Sequence, residues 1–239
     1  MKKSSLVILF FIILLGLGLR LYRLDSRPLG FTWDEAALGY NAYSLLKTGK
    51  DEYGTSWPLA IRSFSDFKPP LYTYLTMVPV GLFGLNEFST RFISAFFGFL
   101  TVVVVYFLVK ELFPKKSFLF FILCTLFLAI SPWHIQFSRI AFEANLALFF
   151  FISGIWLFLK GLKNGKLFIL AFLAFSLSSY AYHSERLVVP LLLLGLLVIY
   201  REEIKKNILW FIFSGLLFAL TLLPIIGQLK ATGARLGSV

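Results

Sequence analysis

The sequence predicts an all-α fold, that of a polytopic membrane protein with about seven transmembrane helices and two interfacial helices. Hydrophobic residues make up 59% of the 239 residues and charged residues only 15%, which is more apolar surface than a soluble domain of this length could bury. The apolar residues form long runs, with short clusters of lysine and arginine between them. This pattern explains the net charge of +11 by the positive-inside rule and argues against a nucleic-acid partner.

The first apolar run, residues 6–19, follows Lys2 and Lys3 and has the charge and length of a signal peptide. No small-residue cleavage site comes after it, so we expect an uncleaved helix that begins in the cytoplasm. Six further runs predict spanning helices, several of them shorter than the ~20 residues that a hydrocarbon core of about 30 Å requires. They cover residues 92–112, 117–130, 146–159, 167–182, 187–200 and 208–226.

The run at residues 71–85 could be a short span or a helix lying in the membrane interface. If it crosses the membrane, the lysine clusters at 115–116, 160–166 and 205–206 face outward and the positive-inside bias disappears. The run is also short and contains Pro79 and Gly81. We therefore expect it to lie flat on the outer surface of the cell membrane, with the N-terminus inside and the C-terminus outside.

This topology places most acidic residues outside or at the outer membrane edge, although it was derived from the basic residues. The longest polar segment, residues 23–91, becomes the first outer loop and the predicted catalytic segment. Within it, Thr32 and Glu35 have the spacing of a capping box, so we expect a helix that begins at Trp33 and stops at Gly49. Asp34 either complements the dipole of this helix or acts as a general base toward an acceptor hydroxyl.

A second motif in the same loop runs from Asp66 through Lys68 to two prolines. Proline favours the first position of a helix, so free amide groups, the helix dipole and the Lys68 ammonium would converge on a point that binds phosphate. Tyr72 lies where it could pack an isoprenoid tail beside that phosphate. Alternatively, Lys68 simply reaches the lipid headgroups.

Residues 131–145 and 180–186 hold polar side chains at the predicted outer ends of helices. Arg139 and Glu143 are four apart and could pair along one helix, or they could face an active site, because polar groups at this depth are costly without partners. His134 is expected at the interface rather than on a metal, since His183 is the only other histidine. Tyr182 and Arg186 belong either to a short interfacial turn or to a binding site.

Taken together, these segments resemble the phospholipid-carrier-dependent glycosyltransferases of the GT-C superfamily, the group that contains protein O-mannosyltransferases and the aminoarabinose transferases of lipid A. The resemblance follows the family's order over nearly the whole chain. Because members of the family are considerably longer, it implies that residues 1–239 are the N-terminal part of a larger transmembrane domain. The matching features are the Asp34, Glu35 pair and residues 68–71, 86–91, 138–145 and 180–186.

The resemblance implies an inverting transfer of a sugar from a polyprenyl-phosphate carrier to a hydroxyl of a protein, lipid or envelope glycan on the outer face. It implies catalytic roles for Asp34 and Glu35 and a contact between Lys68 and the carrier phosphate. Some members bind a divalent cation, for which Asp34 and Glu143 are the candidate ligands, and metal use stays open. The further candidate substrate-binding residues are Asp66, Tyr72, Arg139, Glu143, Tyr182 and Arg186.

Two departures from the family pattern stand out. Phe67 occupies the place where the aminoarabinose transferases have an acid directly before the lysine, and Glu143 is the nearest match to the acid of the second outer loop. A transporter or flippase of lipid-linked sugars is the alternative, but its ionisable residues should lie near mid-membrane and its halves should repeat. Neither feature is present in the sequence.

Overall fold

The computed structural model describes residues 3–64 and 66–232 of the chain. Every predicted apolar run in this part is helical, which confirms the all-α membrane fold. Lys2 and the residues after 232 lie outside the described part. The helices are α1 Lys3–Leu21, α2 Trp33–Thr48, α3 Leu71–Phe83, α4 Glu87–Leu112, α5 Phe118–Ile130, α6 Pro132–Ser138, α7 Glu143–Gly161, α8 Leu167–Ala181, α9 Glu185–Ile199, α10 Arg201–Lys205 and α11 Ile208–Thr232.

Three helices of the described chain, α4, α7 and α11, are each long and apolar enough to cross a membrane. A fourth span is possible if α5 and α6 count as one, although they meet at a bend of 55°. The bend falls at Ser131 and Pro132, where the proline lacks a backbone donor and the Ser131 side chain caps α6. The apolar stretches Leu6–Leu21 of α1, Leu71–Phe83 of α3 and Leu167–Ala181 of α8 are shorter, so the total of seven spans stays a prediction.

The two ends of α4 carry different contacts. Near its C-terminal end, Glu111 bonds Lys160 at 3.2 Å and also Lys163 on the segment after α7. Near its N-terminal end, Arg91 contacts the segment between α1 and α2. The loops that were assigned to opposite faces therefore lie at opposite ends of α4, and we call the Arg91 end the site end.

A small apolar core lies directly beneath the site end. It joins five helices through buried residues that come from α2, α3, α4, α7 and α8. At the start of α3, the Tyr72 hydroxyl donates to the Thr90 carbonyl at 2.9 Å. Since α3 is joined to α4 by only a few residues, this bond holds both ends of α3 near the start of α4. The members of this core include Leu38, Tyr72, Ile93, Leu146 and Ala181.

A β-hairpin that the sequence analysis did not predict interrupts the first polar loop. Strands β1, Ile61–Ser63, and β2, Asp66–Lys68, pair antiparallel with Ile61 opposite Lys68. Phe64 in the connecting turn has a φ of 53°, a region that bulky residues rarely adopt. The hairpin matters because it places Lys68 on an ordered strand rather than in a flexible loop.

Candidate active site

Asp34 and Lys68 meet at the site end. The Lys68 Nζ atom lies 2.5 Å from Asp34 Oδ1, and the two side chains are 11% and 68% exposed, respectively. Asp34 is the second residue of α2, and the capping box between Thr32 and Glu35 fixes this helix start as predicted. The structure thus brings together Asp34, the predicted general base, and Lys68, the predicted contact of the carrier phosphate.

Glu35 is buried and fully engaged. Its Oε1 atom accepts from Arg91 Nε at 2.8 Å and from the Ala141 backbone amide at 3.0 Å, and its Oε2 atom accepts from Arg91 Nη2 and the Thr32 amide. Burial alone would raise the pKa of this carboxyl, but the hydrogen bonds from Arg91, Thr32 and Ala141 and the Arg91 charge hold it below the ordinary 4.5. With no free lone pair facing solvent, Glu35 is a structural group that fixes the first turn of α2 and thereby the position of its neighbour Asp34.

Arg91 completes this network and was not among the predicted site residues. Its guanidinium is 1% exposed and uses all five of its donors. Beyond the two bonds to Glu35, it donates to the carbonyls of Leu24, Pro28 and Gly30 at 3.3, 3.1 and 2.5 Å. One side chain of α4 therefore fixes both the segment before α2 and the first turn of α2.

The strand that carries Lys68 is held from the other side of the site. His183 Nε2 donates to the Phe67 carbonyl at 2.8 Å, so the segment after α8 fixes the backbone next to Lys68. Asp66 Oδ1 accepts from the Phe67 amide at 2.7 Å. Pro70 occupies the N-cap of α3 rather than its first helical position, which corrects the expected place of the proline.

Glu143 begins α7 close to this pair. Its Oε1 atom is buried and has no hydrogen-bond partner, and the carboxylate lies within electrostatic reach of Lys68, Asp34 and Asp66. No three acidic, histidine or cysteine side chains of the described residues converge as a metal site would require. Asp34 and Glu143 are thus two carboxylates near one lysine rather than a complete set of protein ligands.

Arg139 does not pair with Glu143, and that interpretation is wrong. The chain leaves α6 at Ser138 and enters α7 at Glu143, so the two residues do not share a helix. The Arg139 guanidinium instead donates to backbone carbonyls at and after the end of α1: Leu19 at 2.8 Å, Tyr22 at 2.6 Å and Arg27 at 3.2 Å. These contacts make Arg139 a clamp between α1 and α6.

Tyr72 was expected beside the carrier tail, but the structure buries it completely, so this expectation is corrected. Its ring belongs to the core beneath the site because α3 packs against α4. Tyr182 is half-buried against the same core. Arg186 is also half-buried, and its Nε donates to the Ser179 carbonyl at 3.4 Å. The side chains of Tyr72, Tyr182 and Arg186 are therefore all held against the helices.

His134 is another correction, since it is only 7% exposed rather than interfacial. Its Nδ1 lies 2.8 Å from Nη2 of Arg20, a fully buried arginine of α1. Because a guanidinium only donates, Nδ1 is the acceptor and the ring proton sits on Nε2. A single arginine near the end of the first apolar run was the only signal for this contact in the sequence.

Comparison with solved structures identifies the fold. The fold matches the archaeal oligosaccharyltransferase AglB from Archaeoglobus fulgidus, solved in complex with an inhibitory peptide and a dolichol-phosphate, with a TM-score of 0.67 over 93% of this chain. The sequences are 18% identical and the match covers 29% of the AglB chain, so the likeness is one of fold. Together with the match of residues 67–226 to a mannosyltransferase family model, this fold supports the GT-C glycosyltransferase class that the sequence resembles.

The family follows from the sequence comparison. The model of the dolichyl-phosphate-mannose-protein mannosyltransferase family matches residues 67–226, which is more than half of the chain, and the chain belongs to this family. Lys68 lies inside the matched segment, whereas Asp34 and Glu35 precede it.

A curated relative points the same way. Over 145 residues the chain is 26% identical to YkcB of Bacillus subtilis (strain 168), a protein named as a mannosyltransferase. That match covers 59% of this chain and 20% of YkcB. The chain thus spans a small part of the length of the relatives that it matches.

Proposed function

We propose that this chain carries the catalytic end of a membrane glycosyltransferase that moves a sugar from a polyprenyl-phosphate carrier to an acceptor hydroxyl on the outer face. The observation that carries the proposal is the contact of 2.5 Å between Lys68 Nζ and Asp34 Oδ1. It joins an exposed carboxylate to a mostly buried ammonium from two separate segments of the first polar loop. Such a reaction needs these two groups, a base for the hydroxyl and a cation for the phosphate.

Family membership supports the sugar and its carrier, because the family is named for transfer from dolichyl-phosphate-mannose to protein. The AglB structure, which contains a peptide and a dolichol-phosphate, supports a lipid-phosphate carrier and a protein acceptor. We therefore take mannose on a polyprenyl phosphate as the donor to test first.

In the proposed reaction the Lys68 ammonium exchanges Asp34 for an oxygen of the carrier phosphate, a charge-assisted contact. The released Asp34 carboxylate accepts the proton of the acceptor hydroxyl while the hydroxyl oxygen attacks C1 of the sugar. The bond between C1 and the phosphate oxygen breaks, and the polyprenyl phosphate leaves with the bonding electrons. A single displacement of this kind inverts the configuration at C1.

A divalent cation would find carboxylate ligands in Asp34 and in the unpartnered Oε1 of Glu143, with its other positions filled by phosphate or water oxygens. It would add positive charge beside the leaving phosphate. Glu35 and Arg91 serve the reaction indirectly, since their buried network sets the position of the first turn of α2 and thereby of Asp34.

Two substitutions in the full-length protein test the proposal. Asp34→Asn keeps the size of the side chain but removes its basicity, so turnover should fall by about 10²–10⁴-fold with donor binding retained. Lys68→Met should weaken binding of polyprenyl phosphate by roughly 10–100-fold, the worth of a charge-assisted hydrogen bond.

Matched controls come from the same segment. Asp25→Asn and Lys47→Met remove exposed charges of the same kind and should change neither quantity. Glu35→Gln should retain more activity than Asp34→Asn. Normal turnover of Asp34→Asn, or unchanged carrier binding by Lys68→Met, would refute the assignment.

A further inference from the structure

Two exposed aromatic side chains lie on the same two elements as the Asp34 and Lys68 pair, and nothing in the proposed reaction uses them. Trp33 directly precedes Asp34 at the start of α2 and is 80% exposed, and Phe64 in the hairpin turn is 59% exposed. Their ring centroids are 6.2 Å apart and their planes are inclined by 45°. Rings left in solvent as a neighbouring pair are available to a ligand.

The backbone holds these rings in a fixed relation to the charged pair. The capped first turn of α2 carries both Trp33 and Asp34, and one hairpin carries both Phe64 and Lys68. Phe64 keeps a φ of 53° in the turn, a conformation that is unfavourable for a bulky residue. The two elements that supply the base and the cation therefore also supply the two rings.

We propose that Trp33 and Phe64 form a platform for the pyranose ring of the carrier-linked sugar, an inference that rests on the proposed function. A sugar joined through C1 to a phosphate on Lys68 lies close to Asp34, which contacts that lysine, and Trp33 directly precedes Asp34 in the same helix turn. The C–H bonds on one face of a pyranose carry partial positive charge and pack against the negative face of an aromatic ring.

The placement favours the donor sugar over other occupants. An acceptor is not tied to the lysine, so its position relative to the platform is not fixed in the same way. Membrane anchoring by interfacial aromatic residues fits Trp133 equally well, because this residue is 75% exposed on α6. Trp33 differs from Trp133 in adjoining the exposed carboxylate of the charged pair.

The test measures binding of two probes by the full-length protein: polyprenyl phosphate with mannose attached and the same polyprenyl phosphate without the sugar. Trp33→Ala should raise the Kd for the mannosylated carrier about five- to tenfold, the usual worth of an aromatic stacking contact, and leave the Kd for the bare carrier unchanged. Phe64→Ala should show the same selectivity with a smaller effect, and Trp33→Phe should keep most of the affinity. Trp133→Ala is the matched control and should change neither Kd.

Unchanged binding of the bare carrier also shows that each variant is folded. Equal weakening of both probes would indicate membrane anchoring and overturn the platform, as would an unchanged Kd for the mannosylated carrier. Failure of the proposed function looks different: the wild-type protein would bind neither probe, or Lys68→Met would leave binding of the bare carrier intact.

Discussion

The buried pair of Glu35 and Arg91 makes a strong prediction about stability. Arg91→Met removes the guanidinium and leaves the Glu35 carboxylate, 2% exposed, with only the backbone amides of Thr32 and Ala141 as donors. Removing one partner of a buried ion pair costs about 3–5 kcal/mol. For a chain of this size that corresponds to a fall in melting temperature of roughly 10 °C.

The double variant separates the buried charge from the other contacts of Arg91. The double variant carries both Glu35→Gln and Arg91→Met, so neither charge of the pair is left buried. Only the backbone carbonyls that Arg91 bonds in the wild type lose their hydrogen-bond donor, namely those of Leu24, Pro28 and Gly30. Unpaired carbonyls cost about 1 kcal/mol each or somewhat more when buried. We therefore expect the double variant to be more stable than Arg91→Met alone by about 2 kcal/mol.

Thermal unfolding of the detergent-solubilised protein, followed by the fluorescence of its tryptophans, measures these differences. Arg201→Met is the control, because this arginine is 74% exposed and pairs with the neighbouring Glu202; it should melt like the wild type. The reasoning fails if Arg91→Met lies within about 1 kcal/mol of the wild type or if the double variant is less stable than Arg91→Met.

Three further predictions concern pH, the hairpin and topology. The pKa of Glu35 is lower in the folded state than in the unfolded state. The stabilisation by its carboxylate should therefore be complete above the unfolded-state pKa near 4.5 and be lost as the pH falls through the folded-state pKa. Melting curves of Glu35→Gln should not show this loss. His183→Phe removes the N–H group that bonds the Phe67 carbonyl and should raise the KM for the sugar donor a few-fold. The control Ser184→Ala should leave carrier binding unchanged. In a Cys124→Ala background, single cysteines at Lys50 and Glu87 should both react with an impermeant thiol reagent added from outside; protection of the Glu87 site alone would place α3 across the membrane.

Local features of this fold were predictable from the sequence, because their signals lie within a few residues. Each apolar run became a helix, and the capping box of Thr32 and Glu35 fixed the start of α2, with Gly49 at its end. Asp34 and Lys68 could each be predicted as a site residue, because each lies at or just before the start of a helix. Their direct contact could not, because it joins residues 34 positions apart.

The remaining contacts of the site are long-range and leave no local pattern. Arg91 lies 56 residues from Glu35, and Arg139 lies 120 residues from Leu19. The spacing of Arg139 and Glu143 was misleading because an i, i+4 pair requires one continuous helix, and the chain breaks between α6 and α7. Strands of three residues in β1 and β2 are too short for an alternating pattern to show.

The network around Arg91 also bears on the entropy of catalysis. Asp34 is exposed, yet the backbone beneath it is fixed by a guanidinium whose five donors are all engaged. The conformational freedom of this turn is lost during folding, so a substrate that arrives has only side-chain torsions left to immobilise. In the reaction that we propose, preorganisation of this kind lowers the entropic barrier of the chemical step, because the exposed Asp34 carboxylate stands on backbone that is as constrained as that of a buried residue.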